Sequence, residues 1–124
     1  MKYQHHDKLF EQAKQQGYRA RSVFKLQEIQ DKFRIIKKGN KVLDLGAAPG
    51  SFMQLIHKLI GDSGLVIGID LKPIKPFKKN NAKCYAGDIF DENIYQKIEK
   101  DTGINQFDVI TSDLAPATTG IRSV

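Results

Sequence analysis

The sequence predicts an α/β domain with a mainly parallel sheet, preceded by two helices, and three observations carry that reading. From Lys41 onward, short β-rich runs alternate with segments of helical periodicity, the pattern of strand–crossover–strand units. Before Lys41 the apolar residues recur only at helical spacing. Each predicted strand runs out into glycine, carboxylate or both, at the edge where open α/β sheets gather their ligands. The 124 residues suffice for one core. Residues 1–124 are therefore read as a single domain, with 1–40 a basic helical lead.

The elements follow in order. "DKLFEQAKQQG" sets Leu9, Phe10 and Ala13 at helical spacing, with Gly17 placed to end the helix. "RSVFKLQEIQDKF" is a second helix, Ser22 its expected cap and Phe24, Ile29 and Phe33 its expected apolar face. Gly39 and Asn40 break the pattern. "KVLDLG" is the first strand, and "SFMQLIHKLIG" lines up Phe52, Leu55, Ile56, Leu59 and Ile60 on one helical stripe. "GDSG" turns into "LVIGID", a second, buried strand. Pro73 and Pro76 exclude a long helix from "LKPIKPFKKNN". "AKCYAGD" is a third strand, a helix runs from near Asp91 to Gly103, and "QFDVITSD" is a fourth strand. The crossovers are expected to be right-handed.

Composition narrows the function classes. No apolar run approaches the roughly 20 residues of a membrane helix, and "MKYQHHDKLFEQ" lacks the apolar core of a secretory signal. Cys84 is the sole cysteine, which excludes an intrachain disulfide and fits a reducing, cytoplasmic setting. His5 and His6 are adjacent without partner ligands, so no metal site is expected, and His57 reads as an ordinary helix residue. The formal charge of +6 is uneven: residues 1–41 hold eleven Lys/Arg against four Asp/Glu, and residues 42–124 hold nine against ten. A basic lead on a near-neutral domain suits an anionic partner, nucleic acid first, although solvated lysine-rich helices carry the same composition.

The strand tips are "DLGAAPGSF", "GID", "AGD" and "TSD". Gly46 and Gly50 bracket the first, where the backbone can approach a ligand or take positive φ, and Pro49 is placed to pre-set the following helix. Asp70, at the end of strand two, can accept bonds from both hydroxyls of a ribose. Asp88 can accept from an adenine amino group, or simply mark the turn into the next helix. These features suit an adenosine ligand. A dinucleotide needs G-x-G-x-x-G to cradle its pyrophosphate. "GAAPGS" has Ala48 at the third position. S-adenosylmethionine (SAM) has no phosphate, and its cationic end suits a carboxylate-lined pocket.

"DKLFEQAKQQGYRARSVFKLQEIQ", "VLDLGAAPGSFMQ", "GID", "GDIFDE" and "SDLAP" resemble, in order and spacing, the RrmJ/FtsJ family of RNA ribose 2′-O-methyltransferases, over nearly the whole chain. The likeness is greatest to the bacterial type that methylates a uridine of large-subunit ribosomal RNA; relatives acting on transfer RNA share these motifs. The resemblance implies a Rossmann-like SAM-dependent methyltransferase fold with strand order 3-2-1-4. It implies that Gly46, Ala48, Pro49, Gly50, Ser51 and Phe52 form the SAM loop, that Asp70 holds the ribose, and that Asp88 lies near the adenine. Lys25 matches the first lysine of the family's Lys-Asp-Lys-Glu catalytic set, and Asp113 its aspartate and a SAM contact. Phe52 stands where bacterial members usually carry tryptophan, and Ser51 where they carry glycine.

A ribose 2′-hydroxyl is a poor nucleophile at neutral pH, so transfer needs it in line with the methyl group and a side chain to orient it or take its proton. Lys25 suits that role, with Asp113 fixing the lysine, although a solvated helix lysine looks the same in sequence. Arg19, Arg21, Lys25, Arg34, Lys37 and Lys38 are expected to track RNA phosphates beside the pocket. The family's second lysine and its glutamate, and the strands carrying them, are expected to be missing after "ATTGIRSV". That makes the chain a poorly active N-terminal part with an exposed fourth strand prone to self-association. The alternatives are a non-catalytic fragment binding RNA and SAM, and a dinucleotide-dependent oxidoreductase domain.

Overall fold

The computed structural model describes residues 2–113, with side chains from Lys8 onward. The expectation for the His5 and His6 side chains lies outside the described side chains, and those for the last three residues of "SDLAP" and the tail after them lie outside the described residues. Helices α1 (Lys2–Gln15) and α2 (Val23–Phe33) precede β1 (Lys41–Leu45), α3 (Ser51–Ile60), β2 (Leu65–Asp70), β3 (Ala82–Ala86), α4 (Glu92–Thr102) and β4 (Val109–Ser112). The four strands form one sheet in the order β3-β2-β1-β4, every pairing parallel. This is the Rossmann-like order expected. No helix among the described residues is long and apolar enough to cross a membrane.

Because successive strand residues face opposite sides, β1 feeds two cores. Val42 joins Val66, Phe52, Met53, Ile56 and Ile60 under α3, with Val23 and Leu26 of α2 packed on top. Leu43 joins Ile67, Ile69, Tyr85 and Ile98 under α4. Gly68 permits the close approach of α3 to β2, since a Cβ there would lie 2.2 Å from Met53 Sδ and 2.9 Å from Ala47 Cβ. The helix ends match their sequence signals. Gly17 takes φ 84° and Tyr18 N–H donates to Ala13 O beyond α1. Asp91 accepts from Asn93 N–H to start α4, and Gly103 closes it at φ 78°.

Three local expectations need correction. Ser22 occupies the cap position of α2 in a helical conformation and makes no side-chain cap bond. Its hydroxyl instead pairs with that of Ser51 at 2.9 Å. The fully buried face of α2 is Val23 and Leu26; Phe24 is half-buried against the same core as expected, whereas Phe33 is 65% exposed and Ile29 is also exposed. Phe10 likewise points outward from α1, and Ala13 is the residue that packs.

Candidate active site at the strand tips

The parallel register brings the strand ends level: Leu45 lies opposite Ile69 and Ser112, and Asp70 opposite Ala86. The loop after β1 is fastened to the tip of β2. Gly46 and Ala47 N–H groups both donate to Ile69 O (2.8 and 3.0 Å), and Ala48 N–H donates to Asp70 Oδ2 (2.9 Å). Gly46 (φ 69°) makes the turn and Gly50 (φ 112°) caps α3. Pro49 precedes that cap and does not occupy the first helical position expected of it. Ser51 and Phe52 open α3, both buried.

Ser22, Asp44, Gly46, Ala47, Ala48, Ser51, Phe52 and Asp113 line one cleft. Asp70 does not line the cleft itself; it holds the lining residue Ala48 through the bond from its N–H, and its other oxygen accepts from Lys72 N–H (2.8 Å). Each carboxylate oxygen keeps a second acceptor site. Asp88 is exposed and accepts from Phe90 N–H, so here it serves the turn reading, with its other oxygen open.

Asp44 is the site residue that sequence reasoning missed. It is 1% exposed; Thr111 Oγ1 donates to its Oδ1 (2.9 Å), while Oδ2 has no partner. Burial is the main cause that pushes its carboxyl up to about 7, with Asp113 and Asp70 adding repulsion and the Thr111 bond opposing it. A buried carboxylate with an open oxygen is costly unless something completes it. Its signal was present: "VLDLG" puts an aspartate inside a strand whose neighbours are all apolar.

Lys25 and Asp113, 88 residues apart in sequence, meet at the mouth of the cleft with Nζ to Oδ1 at 3.2 Å. Lys25 is 63% exposed and Asp113 29%, so the pair faces whatever approaches the pocket. Exposed pairs of this kind add little stability.

The expected phosphate-tracking residues divide. Arg21 stands in the turn before α2, at the cleft end of that helix, and is partly exposed. Arg19 is also at that end, but its guanidinium is turned inward. Nη1 donates to Pro49 O (2.9 Å) and Lys75 O (2.8 Å), Nη2 to Pro76 O (3.4 Å), and Cζ lies 4.2 Å from the Phe77 ring centroid. Arg34, Lys37 and Lys38 are not beside the pocket. Arg34 ends α2, and the turn through Lys38 leads into the first residue of β1, with Gly39 N–H bonded to Ile60 O at the far end of α3. Five strand residues at about 3.3 Å each put them some 15 Å from the tips.

A groove of about 230 Å³ runs between α2 and β4, lined by Lys25, Ile29, Ile35, Phe52, Ile110 and their neighbours. Ile110 is 61% exposed along it.

Comparison with known proteins shows the family and the fold. The FtsJ-like methyltransferase family model matches residues 18–124. A ribosomal RNA large subunit methyltransferase E of Syntrophobacter fumaroxidans is 47% identical over 98% of this chain and 61% of its own length. Proteins of the same description from Bdellovibrio bacteriovorus (45% identity, 98% of this chain, 62% of the relative) and Methanothermobacter thermautotrophicus (41%, 95% and 56%) are similar. The chain thus spans roughly three-fifths of the curated relatives it matches. A crystal structure assigned as a ribosomal RNA methyltransferase from Plasmodium falciparum superposes with TM-score 0.70 at 31% identity, covering 79% of this chain and 57% of that one. A cyclopropane-fatty-acyl-phospholipid synthase-like protein from Lactobacillus casei shares the fold alone, with TM-score 0.51 at 18% identity over 75% of this chain and 39% of its own.

Proposed function

Since this chain belongs to the FtsJ-like methyltransferase family, we propose that it binds SAM at the strand tips and serves 2′-O-methylation of a ribose in RNA, a uridine of large-subunit ribosomal RNA being the proposed target. The observation that carries the reading is the Lys25–Asp113 pair, standing at the mouth of a cleft whose floor is the incompletely bonded Asp44. The cleft fits a cationic ligand: two carboxylates, Asp44 and Asp113, line it, Asp70 lies close enough to repel Asp44, and Asp44 is buried with an oxygen to spare.

SAM, when bound, supplies a methyl group on a positively charged sulfur. Asp44 and Asp113 would hold its charged amino-acid end, Asp70 its ribose hydroxyls, Asp88 its adenine, and Phe52 the wall; Gly46, Ala48, Pro49, Gly50 and Ser51 shape the loop. Lys25 orients the ribose hydroxyl by donating to its oxygen. To act as base it must first lose its own proton. Asp113 holds Lys25 in position, so the lysine does not search rotamers when the substrate arrives.

The committed amides of the loop weigh against a dinucleotide. Gly46, Ala47 and Ala48 N–H groups already donate to Ile69 O and Asp70, leaving none of the three to cradle a pyrophosphate. Calorimetry of SAM against NAD separates the two ligands: saturable SAM binding with none for NAD is expected, and the reverse refutes the reading. For chemistry, Lys25→Ala and Asp113→Ala are measured by methyl transfer from labelled SAM to large-subunit RNA, in this chain and at the matching positions of a full-length relative. Unchanged rates in both settings remove the pair from catalysis. SAM and RNA binding by this chain with no detectable methyl transfer, where the full-length relative turns over, would favour the non-catalytic alternative.

A further inference from the structure

The segment joining β2 to β3 reads "LKPIKPFKKNN" and, with β3 and Gly87, spans residues 71–87 with five lysines and no acidic residue. Its lysines are cancelled in the segment sum by carboxylates elsewhere, and its geometry makes them a surface. The repeat K-P-I-K-P-F-K has a period of three, which suits an extended, proline-set chain. The burial follows that period. Ile74 is buried and Phe77 half-buried under Arg19, while Lys72, Lys75 and Lys78 are all exposed. The row starts beside Asp70, whose carboxylate accepts Lys72 N–H. Among the described residues no carboxylate pairs with any of these lysines.

The same segment is stapled to the site loop. One guanidinium nitrogen of Arg19 bonds both Pro49 O and Lys75 O, and the other reaches Pro76 O. A cationic row held in place loses less freedom on binding than a mobile one. We propose that Lys72, Lys75 and Lys78 form the phosphate-contacting surface for the RNA substrate on the adenosine side of the pocket, continuous with Arg21 and Lys25, in place of Arg34, Lys37 and Lys38. This rests on the RNA-methyltransferase reading above. RNA is favoured over an anionic membrane because the apolar residues inside the repeat, Ile74 and Phe77, pack inward, which leaves Leu71, beside Lys72, as the one large apolar side chain the segment exposes.

The test uses the full chain and a fluorescein-labelled hairpin of large-subunit ribosomal RNA, with affinity followed by anisotropy across a salt series. Two triple variants are compared, K72Q/K75Q/K78Q and R34Q/K37Q/K38Q; all six side chains are exposed, and circular dichroism checks folding. Wild type should bind with a steep salt dependence. The first triple should lose tenfold or more in affinity and lower the slope of log affinity against log salt by about 2–3, at 0.7–0.9 per phosphate contact. The second triple should stay near wild type, and SAM affinity should be the same in all three. A first triple with the wild-type slope overturns the lysine surface while leaving the RNA reading intact. Wild type without RNA affinity overturns both. Binding to phosphatidylserine vesicles that the first triple abolishes, with RNA affinity untouched, overturns the proposal in favour of a membrane.

Discussion

Asp44→Asn is the sharpest perturbation of this site, because it removes one ionisation and almost no volume. The buried carboxyl keeps its proton up to about pH 7, against 3.8 in an ordinary setting. Ionising it in place therefore costs about 4 kcal/mol. A raised folded-state pKa means that stability from this group is complete below about pH 4 and is lost as the pH rises through about 7. Between pH 5 and pH 8 the wild type should fall by about 2–3 kcal/mol relative to Asp44→Asn. Urea denaturation of both proteins at the two pH values reads this directly. If the difference between them changes by less than about 0.5 kcal/mol, Asp44 is already ionised and the argument from burial is wrong. The ligand side follows from the same charge. A cationic ligand prefers ionised Asp44, so SAM should bind more tightly as the pH rises to about 7 and should release protons near pH 6.5. Calorimetry in two buffers of different ionisation heat measures that release, which Asp44→Asn should lack. Equal release by both proteins would place the ligand's charge away from Asp44.

Asp70→Ala should weaken SAM by about 1–3 kcal/mol, the range for hydrogen bonds to a charged group, and equal affinity in calorimetry would remove Asp70 from the site. Gly50→Ala should disorder the staple, since a Cβ there would lie 2.6 Å from Arg19 Nη1 at a φ of 112°; SAM affinity should drop several-fold, and an unchanged Kd in a folded variant would show that the loop tolerates the shift. The β4 edge, with Ile110 exposed beside the α2 groove, should drive concentration-dependent association in sedimentation. Ile110→Lys should suppress it, and a wild type that remains monomeric at high concentration would mean the edge is covered.

The strands, their tips and the ends of α1 and α4 were legible because each rests on local chemistry: short β-rich runs, glycines where φ turns positive, Asp91 where a helix starts; the strand order came with the family's motifs. The meeting of Lys25 with Asp113 was legible only through the family's motifs, since nothing local relates residues that far apart. Asp44 escaped notice because a carboxylate inside a strand was read as part of the motif around it; its significance comes from the α3 and β4 side chains that close over it. Arg19 and Arg34 illustrate the limit of charge counting. Composition records that a cation exists, whereas its direction depends on carbonyls such as Lys75 O, contributed from 56 residues away. The lysine row after Asp70 was hidden by the opposite error, a sum over too long a stretch.

The pairing of β1 with β4 also sets how the pocket opens. Asp44 and Thr111 are direct partners in the ladder, 67 residues apart, and β4 is an outer strand of only four residues. The β1–β2–β3 ladder does not depend on it. Peeling β4 away would carry off Asp113 and the Thr111 hydroxyl that donates to the Asp44 carboxylate, yet leave the fastened Gly46–Ala48 loop standing. Local opening free energies need not be uniform across a fold, and among the described residues the shortest ladder coincides with the wall that completes the pocket. A ligand bridging Asp44 and Asp113 acts on that opening by mass action, so slowed amide exchange confined to Val109–Ser112 would be the signature of an occupied site, with the central strands exchanging as before.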